Sequence, residues 1–230
     1  MKSFFFLSLV SLCTSCATYQ YATISSSLKN EDSNAFEIEN DTVKISYDFT
    51  GEQGPVKISI YNKLNTPLYV DWSRSALIVG DVRTTYYNKN ATITADMTTS
   101  GSRGSMLSRT SSLEGRIITD QAISFIPPKS WAKEHQRNLS SQPFNLPATY
   151  PKQNERRNGL IVASFKYDPE NTPFNFRSFL TISTHQDLSS PSYFDHSFWV
   201  SEIIQTMISP HTFSPKGDQF YIKKGLIANP

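Results

Sequence analysis

Four histidines are the side chains of this sequence best suited to acid–base catalysis or metal binding. They are His135, His185, His196 and His211. None stands at a short metal-ligand spacing from another, so we predict no metal site and no cofactor. One of them lies in the run Asp195-His196-Ser197, which places three catalytic residue types side by side. Because adjacent residues on a strand point to opposite faces, we interpret this run as a polar edge and predict no catalytic residue there.

The usual hydrolase signatures are missing from the sequence. It contains no G-x-S-x-G elbow, no phosphate-cradling glycine loop and no H-E-x-x-H helix. A hydrolase of cell-wall or glycan substrates stays open as an alternative, with residues drawn from Asp187, Asp195 and His196. That alternative requires a concave pocket that converges on those carboxylates.

The most distinctive polar and aromatic cluster is Asp71-Trp72-Ser73-Arg74. A tryptophan beside an aspartate and an arginine can bind a sugar or a peptide by ring stacking and charged hydrogen bonds. Asp71, Trp72 and Arg74 are therefore candidate ligand-binding residues. The other interpretation is structural: alternation with Leu68 and Val70 places Trp72 on their buried face, while Asp71 and Arg74 pair or cap locally. A carbohydrate-binding surface would show a row of solvent-facing rings.

The first sixteen residues have the pattern of an export signal. One positive charge at Lys2 precedes an apolar stretch from Phe4 to Leu12, which is too short to span a bilayer. The stretch ends in Leu12-Cys13-Thr14-Ser15-Cys16, which resembles the lipobox of bacterial lipoproteins, where small residues precede an obligatory cysteine. Cys13 departs from that pattern, because leucine is usual at its position.

The lipobox resemblance implies that the signal peptide ends at Ser15 and that the thiol of Cys16 carries a diacylglyceryl group. A mature chain that starts at acylated Cys16 has no free thiol and forms no disulfide. Its acyl chains contribute about 0.8 kcal/mol per buried methylene and anchor it to a membrane without a transmembrane helix. The alternatives are an ordinary signal cleaved after Ala17, or a buried cysteine pair in a protein that is not exported.

Five short segments of the mature chain carry a further resemblance. They are Asp41-Thr42-Val43-Lys44-Ile45-Ser46-Tyr47, Tyr61-Asn62-Lys63, Leu68-Tyr69-Val70-Asp71-Trp72-Ser73-Arg74-Ser75, Ile126-Pro127-Pro128-Lys129 and Asn171-Thr172-Pro173-Phe174. Together they resemble an uncharacterised family of Bacteroidetes envelope lipoproteins, over most of the mature chain and loosely. The resemblance implies an envelope lipoprotein and supplies no activity. Surface-exported members often carry acidic residues after the lipidated cysteine, whereas Ala17-Thr18-Tyr19-Gln20 follows here, which favours the periplasmic face of the outer membrane.

The composition indicates a folded chain. Hydrophobic residues make up 38% of the 230 residues and charged residues 18%, which leaves enough apolar side chain for a core. The 22 basic and 20 acidic residues give a net charge of +2 without basic clusters, so nucleic acid is not expected as a partner. Aromatic residues make up 13% of the chain, which favours β-structure because rings fit a pleated, half-buried surface.

Alternating hydrophobic and polar residues predict β-strands along most of the chain. In the clearest strand, Val43, Ile45, Tyr47 and Phe49 alternate with polar residues, and a turn at residues 51–55 predicts an antiparallel hairpin. Further strands are predicted at residues 56–60, 68–72, 76–79, 84–87, 122–126, 160–167, 174–182 and 220–222. Since no helices alternate with these strands, we predict an all-β fold, an antiparallel β-sandwich that is immunoglobulin-like in the broad sense.

Four segments lack a clear strand pattern. After the signal peptide (1–15), residues 16–40 are polar and predict a flexible tether, which leaves a single domain at 41–230. The segment from Thr94 to Ser112, rich in Thr, Ser, Gly and Arg, predicts a long mobile loop. Residues 134–158 contain three prolines and predict mostly irregular structure. The segment from Phe198 to Ile208 fits a short C-terminal helix and a strand equally well, and stays undecided.

These features favour a membrane-anchored envelope lipoprotein with a non-catalytic interaction or assembly role. Its expected contacts are the membrane, through the lipid on Cys16, and protein partners of the envelope. A glycan- or peptide-binding accessory lipoprotein and a cell-wall hydrolase are the alternatives.

Overall fold

The computed structural model describes residues 18–30, 35–87, 92–100, 110–118, 121–146, 151–157 and 159–224. The described chain is almost entirely β-structure, with one four-residue helix, α1 (Pro210–Phe213). Its strands, in chain order, are β1 (Thr18–Ser25), β2 (Lys29–Asn30), β3 (Ala35–Glu39), β4 (Val43–Asp48), β5 (Gly51–Glu52), β6 (Pro55–Asn62), β7 (Leu68–Asp71), β8 (Ala76–Val79), β9 (Val82–Thr85), β10 (Thr92–Ser100), β11 (Thr110–Ile118), β12 (Ile123–Ile126), β13 (Trp131–Asn138), β14 (Gln153–Arg157), β15 (Leu160–Lys166), β16 (Asn175–Ser183), β17 (Ser192–Thr206) and β18 (Gln219–Lys224). The all-β prediction is confirmed, and its immunoglobulin-like part stays a prediction.

Two sheets pack against each other. The large sheet has eleven strands, in the order β12-β7-β16-β17-β1-β18-β5, with β15 and β14 extending from β17, and β8 and β9 from β16. The small sheet has five strands, in the order β13-β6-β4-β3-β2. Among the described strands, every pairing is antiparallel except the short contact of β18 with β5. Strand β17, fifteen residues long, spans the large sheet and pairs with β16 and β15 on one side and β1 on the other.

The core between the sheets is aromatic. The ring of Phe198 on β17 lies 5.0 to 5.5 Å, centroid to centroid, from the rings of four residues of both sheets. They are Phe36, Tyr47, Phe49 and Phe176. Each buried ring removes a large apolar area from water, and edge-to-face contacts add about 0.5–1.5 kcal/mol per pair. Because the rings come from both sheets, this cluster holds the sheets together.

The predicted hairpin after residue 42 is confirmed. Val43, Ile45 and Tyr47 of β4 are buried and alternate with half-buried polar residues, and β4 pairs with β6 in an antiparallel register. Gly54 in the connecting turn has φ +68, and a Cβ there would stand 3.0 Å from the ring of Phe220. Glycine is therefore required both by the left-handed backbone and by the close approach.

The prediction of a flexible tether over residues 16–40 is wrong for the described part of that segment. Thr18–Ser25 form β1, which pairs with β17 on one edge and β18 on the other, and Ala35–Glu39 form β3. Ala22 and Ile24 are buried in the core. The folded domain thus includes residues assigned to the tether, while Cys16 and the predicted signal peptide lie outside the described residues.

Three other segments are more regular than predicted. β10 and β11 form a two-stranded antiparallel hairpin in which Thr92 pairs with Ile118 and Ser100 with Thr110, so the loop prediction is wrong there; residues 101–109 lie outside the described part. β13 and β14 enter the stretch 134–158 that was predicted to be mostly irregular. The undecided segment 198–208 is strand up to residue 206, and the short helix follows it. No helix within the described residues is long and apolar enough to cross a membrane.

Candidate functional site

Trp72 lies in the core, as the structural interpretation of its cluster predicted. Its side chain is 3% exposed, next to buried Leu68 and Val70, and its ring meets Tyr86 edge to face at 6.2 Å. The indole Nε1 donates a hydrogen bond to Ser124 Oγ at 2.7 Å, which satisfies its polar atom. The ring therefore offers no free face for stacking on a ligand in this conformation.

Asp71 organises the turn that follows β7. Its Oδ1 accepts hydrogen bonds from the backbone N–H groups of Ser73 and Arg74 and from the Ser73 hydroxyl, and its Oδ2 pairs with Arg74 Nε. Burial acts to raise the pKa of Asp71, but the hydrogen bonds from Ser73 and Arg74 outweigh it and lower that pKa. The predicted local pairing of Asp71 with Arg74 is present, and about half of the Arg74 side chain stays exposed.

The run Asp195-His196-Ser197 is split between the two faces of β17. His196 is buried between the sheets, and its Nδ1 lies 2.7 Å from the Tyr47 hydroxyl. Asp195 points to the opposite face, where it accepts a hydrogen bond from Arg177 Nη1 at 2.6 Å. The run therefore does not assemble a catalytic group, as the alternation argument predicted.

The other candidates for chemistry stand apart from one another. Asp187 lies in an exposed loop and bonds the backbone N–H and hydroxyl of Ser189. His185 lies in the same loop, His211 lies in α1, and His135 lies on β13 in the small sheet. Among the described side chains, no group of three His, Cys, Asp or Glu residues is close enough to hold a metal ion.

Lowering the pH is expected to destabilise the fold through His196. Burial lowers the pKa of His196 from its ordinary 6.5, while neighbouring Asp195 opposes the shift. The unfolded chain therefore binds the proton first as the pH falls below about 6.5. The free energy of unfolding then decreases by at most about 1.4 kcal/mol per pH unit until the pKa of the folded state is reached.

Thermal unfolding between pH 7.5 and 5 tests this expectation. His196→Gln, which keeps polar atoms beside Tyr47, should flatten the pH dependence relative to the unsubstituted chain. The same substitution at exposed His211 controls for the loss of one histidine and should leave the dependence unchanged. A His196→Gln variant with the original slope would contradict the assignment.

The outer face of the large sheet carries four aromatic rings, which we call the ring face: Tyr69, Phe125, Phe179 and Tyr193. Phe125 on β12 pairs with Tyr69 on β7, and Tyr69 pairs with Ser183 on β16. Thr181, two residues before Ser183 on β16, pairs with Tyr193 on β17. Phe179 lies two residues before Thr181 on the same strand. Since cross-strand partners share a face and alternate residues of a strand return to it, all four rings point the same way.

The rings form two contacting pairs. The centroids of Tyr69 and Phe125 are 5.7 Å apart, and those of Phe179 and Tyr193 are 5.6 Å apart with 25° between the ring planes. Phe125 is 56% exposed and Tyr193 60%. Tyr69 and Phe179 are half-buried beside them. Two large exposed rings, each packed on a half-buried ring of a neighbouring strand, mark a candidate interaction surface.

Arg74 supplies a cation to the ring face. The Asp71 turn lies over β16, where the Arg74 carbonyl accepts a hydrogen bond from Thr181 Oγ1. The hydrogen bond to Asp71 raises the pKa of Arg74, and the Tyr193 hydroxyl contributes in the same direction. Arg74, a candidate from the sequence, thus belongs to a surface whose rings the sequence pattern did not identify.

A cleft of about 240 Å³ opens at one end of the sandwich, between the two sheets. Tyr193 lines it together with Leu68 and Ile182 of the large sheet and Thr42 and Val43 at the start of β4 in the small sheet. The lining mixes apolar side chains with hydroxyl groups. The cleft gives this end of β17, next to Tyr193, a concave surface with hydrogen-bonding groups.

The fold and this surface define an all-β protein of two packed sheets with an aromatic outer face. Comparison with known proteins does not extend that description, because no protein-family model, no curated protein and no solved structure matches the chain significantly.

Proposed function

We propose that this protein is a lipid-anchored envelope lipoprotein that acts by binding a partner and not by catalysis. The observation that carries the proposal is the ring face, an aromatic surface across four strands of the large sheet on which Phe125 and Tyr193 are exposed. The partner is a protein of the same membrane or compartment, so the function is one of interaction or assembly.

The composition of the ring face supports a protein partner. Interface cores are enriched in aromatic residues and arginine, and a few such residues carry most of the binding energy. Tyr69, Phe125, Phe179 and Tyr193 supply the rings, and Arg74 lies among them with its charge oriented by Asp71. Aromatic side chains also lose little conformational freedom on binding, since two torsion angles position a large contact area.

The anchor rests on the sequence around Cys16. A short apolar stretch follows Lys2, and Ser15 provides the small residue before the cysteine. Lipidation of Cys16 would hold the domain on the outer membrane, on its periplasmic side according to the residues that follow the cysteine. Two or three acyl chains give stable attachment, whereas a single chain binds only marginally.

Substitution of Cys16 by alanine tests the anchor. In a bacterial host, the unsubstituted chain is expected in the membrane fraction, with an intact mass equal to the chain from Cys16 onward plus the added acyl groups. Cys16→Ala should lose the acyl mass and leave the membrane fraction almost completely, because it lacks the thiol at the lipobox position that would carry the lipid. Ser15, which precedes the predicted cut, should be missing from the mature unsubstituted chain.

Two results would contradict the anchor. An unsubstituted chain that is soluble, unmodified and cut near Ala17 would indicate an ordinary secreted protein. A Cys16→Ala chain that keeps both its membrane location and its function would remove the need for anchoring.

A glycan is the second candidate ligand. The observation that favours it is the nearly parallel pair Phe179 and Tyr193, since sugar rings stack on exposed aromatic faces and the hydroxyl groups of the adjacent cleft can accept and donate hydrogen bonds. In this function the protein would be a glycan-binding accessory lipoprotein. Binding of cell-wall fragments that depends on Tyr193 would distinguish it from a protein-binding role.

A further inference from the structure

The large sheet has one end at which five strands start or stop together. Thr18 opens β1 and pairs with Lys224 at the end of β18, and Tyr19 pairs with Thr206 at the end of β17. Continuing the pairing of β15 with β17 past Ala163 and Gln205 places Ile161 opposite Met207, the residue after the end of β17. Arg156 on β14 pairs with Ile161 and so lies at the same end. We call this end of the sheet the anchor edge.

Apolar side chains are exposed at the anchor edge. Ile161 is 74% exposed and Met207 is 68% exposed, and they line a groove of about 410 Å³ with Thr18, Ala163 and Phe165. Phe165 belongs to the main core and Ala163 packs against it, so the groove continues the core face of the large sheet toward the exposed Ile161. The core surface of this sheet therefore extends into solvent at the anchor edge.

Two basic side chains flank the groove. Lys152, which lines it, is exposed, and so is Arg156, which shares the face of its cross-strand partner Ile161; no ion pair within the described residues involves either. The acidic residues of the same region are already matched: Glu155 pairs with Arg157 and Lys166, and Glu202 pairs with Arg157. The groove thus presents apolar groups beside two positive charges that no described carboxylate pairs with.

A lipid on Cys16 would bring the membrane surface close to the anchor edge. Two residue steps separate Cys16 from Thr18, a span of at most about 7 Å even when fully extended. The headgroup layer on each side of a bilayer is about 5–7 Å thick. With its acyl chains in the hydrocarbon, a lipidated Cys16 holds the start of β1 at the level of the headgroups.

We propose that the anchor edge docks directly onto the membrane, with Ile161 and Met207 inserted at the boundary between headgroups and acyl chains. The proposal rests on the lipid anchor proposed above. Exposed apolar residues combined with basic ones are the composition of interfacial membrane-binding surfaces, because the apolar groups leave water and the cations meet anionic headgroups. The domain is then held in one orientation, with the sheet standing on this end.

Tyr193 on the ring face lies thirteen residues before Thr206, where β17 ends at the anchor edge, a distance of about 43 Å. An upright sheet therefore places the ring face well away from the bilayer surface. That orientation leaves it accessible to a partner in the aqueous compartment.

Site-specific fluorescence in lipid vesicles tests the docking. A mature chain has no thiol other than acylated Cys16, so Ile161→Cys and Met207→Cys each introduce one reactive site for an environment-sensitive dye. Val82→Cys is the matched control, because Val82 is 69% exposed and lies about 30 Å away along the strand direction. The lipidated proteins are reconstituted in vesicles of phosphatidylethanolamine and phosphatidylglycerol that carry a lipid-attached quencher.

The dye at Ile161 and at Met207 is expected to shift its emission to the blue on reconstitution and to be quenched several-fold more than the dye at Val82. Equal emission and quenching at all three positions, in a protein whose acyl mass is verified, would overturn the docking and leave the anchor intact. Absence of the acyl mass would overturn the anchor itself. A blue-shifted dye at Met207 in Cys16→Ala without vesicles would also overturn the docking, because a second copy of the chain would then cover the groove.

Discussion

A chain shortened to begin at Ala35 is expected to lose its folded structure. It lacks β1, which forms hydrogen bonds along both edges, with β17 and with β18. Its removal takes the buried side chains of Tyr21 and Ile24 from the interior, each contributing about 1.5–3 kcal/mol. It also leaves two facing strands with unpaired backbone groups, at about 1–3 kcal/mol for each group that stays buried. A domain with a net stability of about 5–15 kcal/mol does not tolerate the combined loss.

Thermal unfolding followed by circular dichroism measures this effect. The chain that begins at Ala35 should show no cooperative transition and no near-ultraviolet signal from packed aromatic rings. A chain that begins at Thr18 is the control and should keep both, since it retains every residue of β1. A cooperative transition in the shorter chain would show that the fold does not depend on β1, and would favour the prediction that residues 16–40 are a tether.

The strands that alternate between buried and exposed residues could be predicted from the sequence. β4, β6 and β7 each have one face in the core and the other toward solvent, so their side chains follow a period of two. The burial of Trp72 followed from the same pattern, through its alternation with Leu68 and Val70. Local periodicity was sufficient in these strands because each has only one buried face.

β1 was missed because it is buried on both faces and contains polar residues at buried positions. Ala22 packs in the core between the sheets, while Tyr21 packs on the opposite face in a second cluster with Val162 and Ile204. Gln20 is buried as well, and its amide bonds the backbone of Phe144 in both directions. A strand of this kind shows no alternation, and a buried glutamine reads as a surface residue until its partner 124 positions away is known.

The hairpin of β10 and β11 was missed for the opposite reason. These strands pair with each other and with no other described strand, so no sheet of the sandwich imposes a buried face on them. Runs of threonine and serine are compatible with extended backbone, but without a buried face they produce no hydrophobic period. The backbone pairing that defines such a hairpin is not encoded in a pattern of apolar residues.

The ring face depends on strand order, which one sequence does not determine. Tyr69 and Phe125 are 56 positions apart in the chain, and they meet because β12 pairs with β7. The alternation around Leu68 and Val70 does indicate that Tyr69 points outward, but not which strands stand beside it. Only Arg74, through its distinctive neighbours, could be selected as a candidate before the topology was known.

Replacing both exposed rings of the ring face is expected to abolish partner binding without unfolding the protein. Phe125→Ser and Tyr193→Ser remove side chains that are more than half exposed and make one ring contact each, so each should lower the stability by about 0.5–1.5 kcal/mol. Aromatic residues at the centre of an interface contribute about 2 kcal/mol or more each, a factor of about 30 in affinity. Loss of both should weaken binding by about a thousandfold where the effects add.

Photo-cross-linking in the native host detects the partner that these substitutions should release. A photoreactive phenylalanine analogue at position 125 or 193 is expected to give one discrete adduct, which disappears when the other ring is replaced by serine. Trp131 is the matched control position: it is 48% exposed and pairs with Tyr61, but on the small sheet. A polysaccharide adduct in place of a protein would favour the glycan-binding function. The same adduct from position 131, or none from either ring-face position, would remove the ring face as the binding surface, because an interface that buries these rings must bring its partner within bonding distance of them.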